Sequence, residues 1–189
     1  MSKRSLRPWK TISKQTILKR DKFLTVENHI VELPDGRTIT DWSWIVTPDA
    51  AIILAQTRED KFLCFRQTKY ALDGITLAPP AGMLEVGEVP MDAAKRELRE
   101  ETGYEASDWV HLGSFRSCPN KGVATMHLFL ARDARRITQP DSDDLEDQEL
   151  LLLDRHELES ALFQGEFKAL MWTATVALAL QYIDHHATS

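Results

Sequence analysis

The sequence is poor in the features that mark several common protein classes. Only two of its 189 residues are cysteine, Cys64 and Cys118. Two cysteines build no disulfide framework, and Cys64, set in an apolar strand-like run, reads as a small core residue. No apolar run approaches the roughly 20 residues that cross a bilayer. The basic opening from Met1 to Trp9 lacks an apolar stretch of signal-peptide type, so a cytoplasmic protein with no membrane partner is expected. Positive charge is also scarce: 23 Lys and Arg stand against 29 Asp and Glu, for a net charge of −6. That balance argues against a surface built for nucleic acid. Internal repeats and low-complexity tracts are missing, and His127, His185 and His186 have no metal-ligand partners at useful spacing. The length suits one sizeable core with at most a small appendage.

What the chain does have is concentrated between Gly82 and Tyr104, where acidic residues recur at helical spacing. Pro90 suits a first helical turn, Asp92 sits where the macrodipole favours an acid, and Gly103 is placed to end the helix in a left-handed conformation. A helix over residues 89–102 is therefore predicted. On it Glu97, Glu100 and Glu101, related by i, i+3 and i+4, fall on one face. Such a face repels itself by a few tenths of a kcal/mol per pair, and a hard divalent cation with oxygen ligands is the usual remedy. Arg96, four residues before Glu100, can hold one carboxylate by a charge-assisted bond, while Ala93 and Leu98 lie on other faces and can anchor the helix. A solvated helix of mixed charge would also interleave Lys95, Arg96 and Arg99 with acids. The preceding Pro79-Pro80-Ala81-Gly82 turn and the outlying Glu85 and Glu88 favour the metal site instead.

Elsewhere the pattern alternates strands and helices. Residues 1–15 are polar and read as loosely ordered. Phe23 to Leu33 and Arg37 to Val46 form a hairpin about the turn Pro34-Asp35-Gly36. Strands follow over 50–55 and 61–68, then a loop over 71–82 leading to the helix. Residues 109–115 and 126–131 read as strands around the loop Ser117–Gly122. A long exposed loop over 132–148 precedes a buried-type strand at 150–153, and Asp154 caps a helix to about Phe163. Gly165 ends that helix, and a strongly apolar one covers 167–183. This order gives an α/β or α+β sandwich, a mixed sheet between helices.

The spacing of Gly82, Glu88, Arg96, Glu97, Glu100, Glu101 and Gly103 resembles the Nudix box, with Tyr104 a mild departure at the final apolar slot. If each of the seven positions is filled by chance about once in 15, about one accidental match per million chains of this length results. The resemblance implies a Nudix-type α/β/α sandwich. It divides the chain into a tail and β-hairpin over 1–45, a dimerisation element, and a hydrolase domain over 46–189. Pro119, fifteen residues past the box, and the N-terminal hairpin are similar to the ADP-ribose pyrophosphatase branch, whose members use such a hairpin to form an intertwined homodimer.

By that resemblance Glu97 and Glu101 are the main metal ligands, Glu100 serves a second metal and shares in catalysis, and the Ala81 carbonyl is a backbone ligand. Mg²⁺ is the expected ion, with Mn²⁺ able to replace it. The group that deprotonates the catalytic water is expected in the acidic loop Ser142–Glu149, as Asp144 or Glu146, the latter also a metal ligand; a merely solvated loop is the competing reading. Arg66 and Lys69 are candidate phosphate contacts. Trp42 and Trp44 share a strand face and could stack on an adenine across a dimer, although core or interface packing is the commoner fate of such residues. Ala78, Ala124 and Lys69 stand where the branch often has two acids and an arginine. The expected reaction is hydrolysis of a nucleoside diphosphate joined to another group, ADP-ribose giving AMP and ribose 5-phosphate. A nucleotide sugar, a dinucleotide, or a sensor that binds ADP-ribose without cutting it are the alternatives.

Overall fold

The computed structural model describes residues 6–141 and 147–187 and divides the chain into two compact units. The smaller comprises the N-terminal 48 residues with Arg116–Thr125. Its frame is a three-stranded antiparallel sheet, β1 (Lys10–Arg20), β2 (Leu24–Glu32) and β3 (Thr38–Val46), in the order β1-β2-β3. The turn at Pro34-Asp35-Gly36 closes as expected, with Gly36 at φ 86° and its N–H donating to the Leu33 carbonyl at 3.0 Å. The expected hairpin is thus two strands of a three-stranded sheet, and the last six residues of the expected loose tail, 10–15, belong to strand β1. All eleven β1 side chains are exposed, so no apolar alternation betrays the strand; its order comes from backbone pairing with β2, from Lys10↔Glu32 to Arg20↔Leu24.

The larger unit holds the rest. β4 (Ala50–Thr57), β5 (Phe62–Thr68), β6 (Ile75–Ala78) and β7 (Ala81–Met83) precede helix α1 (Pro90–Thr102). β8 (Tyr104–Glu105), β9 (Asp108–Cys118), β10 (Val123–Arg136) and β11 (Gln148–Leu153) follow, with the last three residues of β9 and the first three of β10 in the smaller unit, and then α2 (Arg155–Phe163) and α3 (Leu170–Ala187). The sheet runs β11-β5-β4-β10-β8, with β6 beside β5, β7 beside β4 and β9 beside β10. β4 and β10 are parallel, while β5 runs antiparallel to β4, β6 and β11, so the sheet is mixed as predicted. β4 and β5 are apolar on both faces because both faces are covered. Ala51, Ile53, Ala55 and Leu63 pack with Ala93, Ala94 and Leu98 of α1. Leu54, Phe62 and Cys64 pack on the opposite side with Leu158 of α2 and Val176, Ala179 and Leu180 of α3. This is the expected α/β/α sandwich. Burial pushes the Cys64 thiol up to about 12, which leaves it an unreactive core group.

Several boundaries differ from expectation. Residues 71–82 contain β6 and β7, each too short and too closely flanked by Gly74 or Pro79-Pro80 to show a period. β9 and β10 extend through what reads as loop, and β10 continues to Arg136 past a register shift between Ala131 and Ala134, where Asp133 takes φ 56°. β11 is paired along its length with β5 but no residue in it is fully buried. α2 begins as predicted, with a capping box: Asp154 accepts from the Glu157 N–H at 2.8 Å while Glu157 accepts from the Asp154 N–H at 2.7 Å. Such a cap stabilises by about 1 kcal/mol.

Candidate active site

The site is organised by α1 and the short strand β7 beside it. Pro90 occupies the first turn, Asp92 lies in that turn, and Gly103 closes the helix at φ 72°, its N–H donating to Arg99 O at 2.8 Å. Ala93, Ala94 and Leu98 are fully buried, so the helix is seated on β4 by one face and leaves its charged face over β7. Burying Leu98 alone contributes about 2 kcal/mol.

Arg96 is the hub of that charged face. Its Nε and Nη2 donate to Glu88 Oε1 and Oε2, both at 2.9 Å, as a bidentate fork. Nη1 donates to Glu97 Oε1 at 2.7 Å and Glu100 Oε2 at 3.1 Å, and Nη2 also to Met83 O at 3.1 Å. All five guanidinium N–H groups are thereby used. Arg96 therefore positions three carboxylates, where the sequence offered it one, and has no donor left for a substrate. Glu88 Oε2 accepts in addition from the Glu85 N–H at 2.9 Å, which ties the preceding turn to the same hub.

The carboxylates respond to this setting in opposite directions. Hydrogen bonds from Arg96 hold the Glu88 carboxyl below the usual range, against a smaller opposing effect of burial. Burial pushes Glu97 up more strongly than Arg96 pulls it down. The Glu97 side chain is only 13% exposed, and the Arg96 bond only partly offsets the lost solvation of its ionised form. Glu101 bends the other way, its Oε2 accepting from the Ala81 N–H at 3.0 Å. A Cβ on Gly82 would lie 1.9 Å from the Glu97 carboxyl carbon. Glycine at 82 is thus what lets the carboxylate rest directly on the β7 backbone.

Among the described residues no three acidic, histidine or cysteine side chains are arranged as they stand to hold a metal ion, because the carboxylates close on Arg96 and the Ala81 amide. The chemistry of the set nonetheless suits a hard divalent cation. Glu97, Glu100, Glu101 and the Ala81 carbonyl offer only oxygen, and Glu97 is desolvated with its charge incompletely met. Among the described residues, Oε2 of Glu97 and Oε1 of Glu100 accept no hydrogen bond.

The remaining expected residues lie elsewhere or outside the described chain. Asp144 and Glu146 are among residues 142–146, outside the described residues. Arg66 on β5 pairs with Glu149 of β11 at 2.8 Å and lines a cleft with His156 and Glu157 of α2, on the sheet face away from α1. Lys69 follows β5, its carbonyl accepting from the Leu72 N–H at 2.9 Å. Trp42, Trp44 and Pro119 belong to the smaller unit. Trp42 Nε1 donates to Asn120 O at 3.2 Å and its ring meets Trp9 edge-on; Trp44 stacks on His29 with centroids 5.0 Å apart and leaves no room for a side chain at Gly122. Both rings are engaged in packing. Pro119 sits in the turn where Lys121 and Gly122 N–H donate to Cys118 O. Sequence reasoning passed over Gln67, whose buried Oε1 accepts no hydrogen bond among the described residues. By the period of β5 it shares the α1 side with Leu63, and nothing in the apolar run Phe62–Phe65 signals an uncompensated acceptor there.

With this geometry established, the chain can be set beside known proteins. The pattern of the NUDIX domain matches residues 46–173, and that of the nucleoside diphosphate sugar hydrolase N-terminal domain matches 9–45. An ADP-ribose pyrophosphatase of Bacillus subtilis is 32% identical over 175 residues, 93% of this chain and 92% of its own. A methanol dehydrogenase activator of Bacillus methanolicus is 33% identical over 82% of this chain and 81% of its own. The crystal structure of an ADP compounds hydrolase superposes with a TM-score of 0.79 over 97% of this chain and 98% of its own, at 20% identity, and so shares the fold. Nudix hydrolases generally use divalent cations. The domain match across most of the chain and the similarity to the Bacillus subtilis protein along nearly its whole length show that this chain belongs to the Nudix family.

Proposed function

We propose that the protein is a Mg²⁺-dependent pyrophosphohydrolase whose substrate is ADP-ribose. The observation that carries this reading is the gathering of Glu97 and Glu101 on the Ala81–Gly82 backbone under the Arg96 clamp. The substrate follows from the relatives whose names specify ADP-ribose. Glu97, Glu100, Glu101 and the Ala81 carbonyl would hold the ion, with Mn²⁺ as a substitute. When bound, the ion neutralises the diphosphate and lowers the pKa of a coordinated water.

The protein's own groups do the rest. Arg96 keeps Glu88, Glu97 and Glu100 in fixed positions, so little reorganisation is needed as charge develops. An acid of the 142–149 loop, Glu146 before Asp144, takes the proton of the attacking water. As water oxygen bonds to one phosphorus, the bond from that phosphorus to the bridging oxygen breaks, giving AMP and ribose 5-phosphate without a covalent enzyme intermediate. The N-terminal sheet joins two copies into a homodimer in the cytoplasm.

A substrate panel with Mg²⁺, read by product chromatography, tests this. ADP-ribose should show higher kcat/KM than NADH, diadenosine polyphosphates or 8-oxo-dGTP. A higher value on any of those three overturns the substrate, and binding of ADP-ribose without turnover would identify a sensor.

A further inference from the structure

The pairing of β9 with β10 brings together polar side chains that lie far apart in the sequence. His111 and Ser114 of β9 and His127 of β10 all belong to the larger unit, as does Asp49 just before β4. Ser114 Oγ stands 3.0 Å from His111 Nε2 and 2.8 Å from His127 Nδ1, so two imidazole nitrogens converge on one hydroxyl. On the other side of the His127 ring, Asp49 Oδ2 lies 4.0 Å from Nε2. By the period of β10, His127 shares a sheet face with Phe129, and the ring of His111 lies 5.1 Å from that of Phe129.

The placement of the ring protons follows. The Asp49 carboxylate favours a proton on His127 Nε2, which leaves the Nδ1 lone pair aimed at Ser114. Burial holds His127 below the ordinary histidine range, and its side chain is 14% exposed, so the ring is neutral at pH 7 and can serve as a ligand. A carboxylate behind a histidine whose other nitrogen points outward is the arrangement that supports histidine ligands in metal sites, where it fixes the tautomer and raises basicity. His111 and Ser114 are exposed, so His111 can carry its proton on Nδ1 instead and Ser114 can turn aside. An ion bonded to both nitrogens at about 2.0–2.1 Å needs each to close by less than about 1 Å on the point that Ser114 Oγ holds. Imidazole suits Zn²⁺, Cu²⁺ and Ni²⁺, whereas carboxylate and carbonyl oxygens suit Mg²⁺, so this pair is chemically unlike the acidic face of α1.

We propose that His111 Nε2 and His127 Nδ1 form a transition-metal site, completed by water, with Asp49 as the positioning residue behind His127. The site is independent of the proposed hydrolysis and needs no substrate. Cu²⁺ added to the untagged full chain in saturating Mg²⁺, followed by electron paramagnetic resonance, tests it. One ion per chain should bind with splitting from two imidazole nitrogens, which the oxygen ligands of α1 cannot produce. His111→Ala, at an exposed side chain, and His127→Ala should each lose the two-nitrogen pattern and at least about tenfold in affinity, no less than loss of a supporting group costs. Ser114→Ala should bind as tightly as the wild type or more tightly, since the hydroxyl competes for both nitrogens. A two-nitrogen pattern that survives in folded His111→Ala would place the ion elsewhere, as on the neighbouring rings of His185 and His186, and would overturn the site. A wild-type spectrum without nitrogen splitting would overturn it too, as would an affinity that falls in Ser114→Ala as far as in the histidine variants.

Discussion

Helix α1 and strand β1 carry charge in opposite ways. On α1 one arginine answers three carboxylates with all its donors, and the Glu97 side chain is 13% exposed. On β1 every residue is exposed, and Lys10, Lys14, Lys19 and Arg20 face solvent beside Ile12 and Ile17, which are 52% and 61% exposed. Desolvated and mutually constrained charge costs stability and is kept where it serves chemistry. Solvated lysines on an edge strand instead discourage indiscriminate pairing. The contrast separates the metal-binding face proposed for α1 from the sheet proposed to join two copies, and can be attacked from either side.

The largest expected effect is on α1. Glu101→Gln should lower kcat by on the order of 10³ while the melting temperature stays within about 2 °C, because the proposed metal site loses a ligand and the core loses no contact. Retention of activity within about tenfold would remove Glu101 from the metal site. Gly82→Ala comes next: its Cβ must displace the Glu97 carboxylate, so steady-state kinetics should show kcat lower by about 10². On β1, Ile17→Asp should convert a dimer to a monomer; light scattering of the wild type that gave a mass near 21.6 kDa would instead remove the assembly role.

The smallest effect is on pH dependence. Glu97 is raised, so its contribution to stability is full below the ordinary value of 4.5 and is lost as pH rises through its higher folded value. Glu88 is lowered, so its contribution is full above 4.5 and is lost as pH falls through its folded value. A divalent cation binds the ionised carboxylate. Saturating Mg²⁺ should therefore raise the melting temperature by about 5 °C at pH 7.5 and hardly at all at pH 4, as scanning calorimetry would show. An equal shift at both values would place the ion away from Glu97.

The legibility of the sequence follows the same division. The helix over α1 could be read because Pro90, Asp92, Gly103 and the carboxylate spacing act locally. The capping box at Asp154 could be read for the same reason. Strand β1 could not, since its order comes from pairing with β2 and its side chains bear no periodic mark. β6 and β7 were hidden by their shortness. Within the site, the pairing of Arg96 with Glu100 was visible at i, i+4, but its reach to Glu88 and Met83 O depends on how the 83–88 turn folds back. Arg66 reads in one dimension as a candidate phosphate contact, whereas its ion pair with Glu149 is visible only once β11 lies beside β5. Gln67 shows no sequence signal at all, because an orphaned acceptor is a property of the surroundings.

The claim at the centre is that Glu97 and Glu101 hold a divalent cation against the β7 backbone. Mn²⁺ binding followed by electron paramagnetic resonance in the wild type and in Glu97→Gln/Glu101→Gln tests it without reference to any substrate. The wild type should bind Mn²⁺ and the double variant should lose at least about tenfold in affinity, with its circular dichroism spectrum unchanged. Equal Mn²⁺ affinity in the two folded proteins would contradict the account.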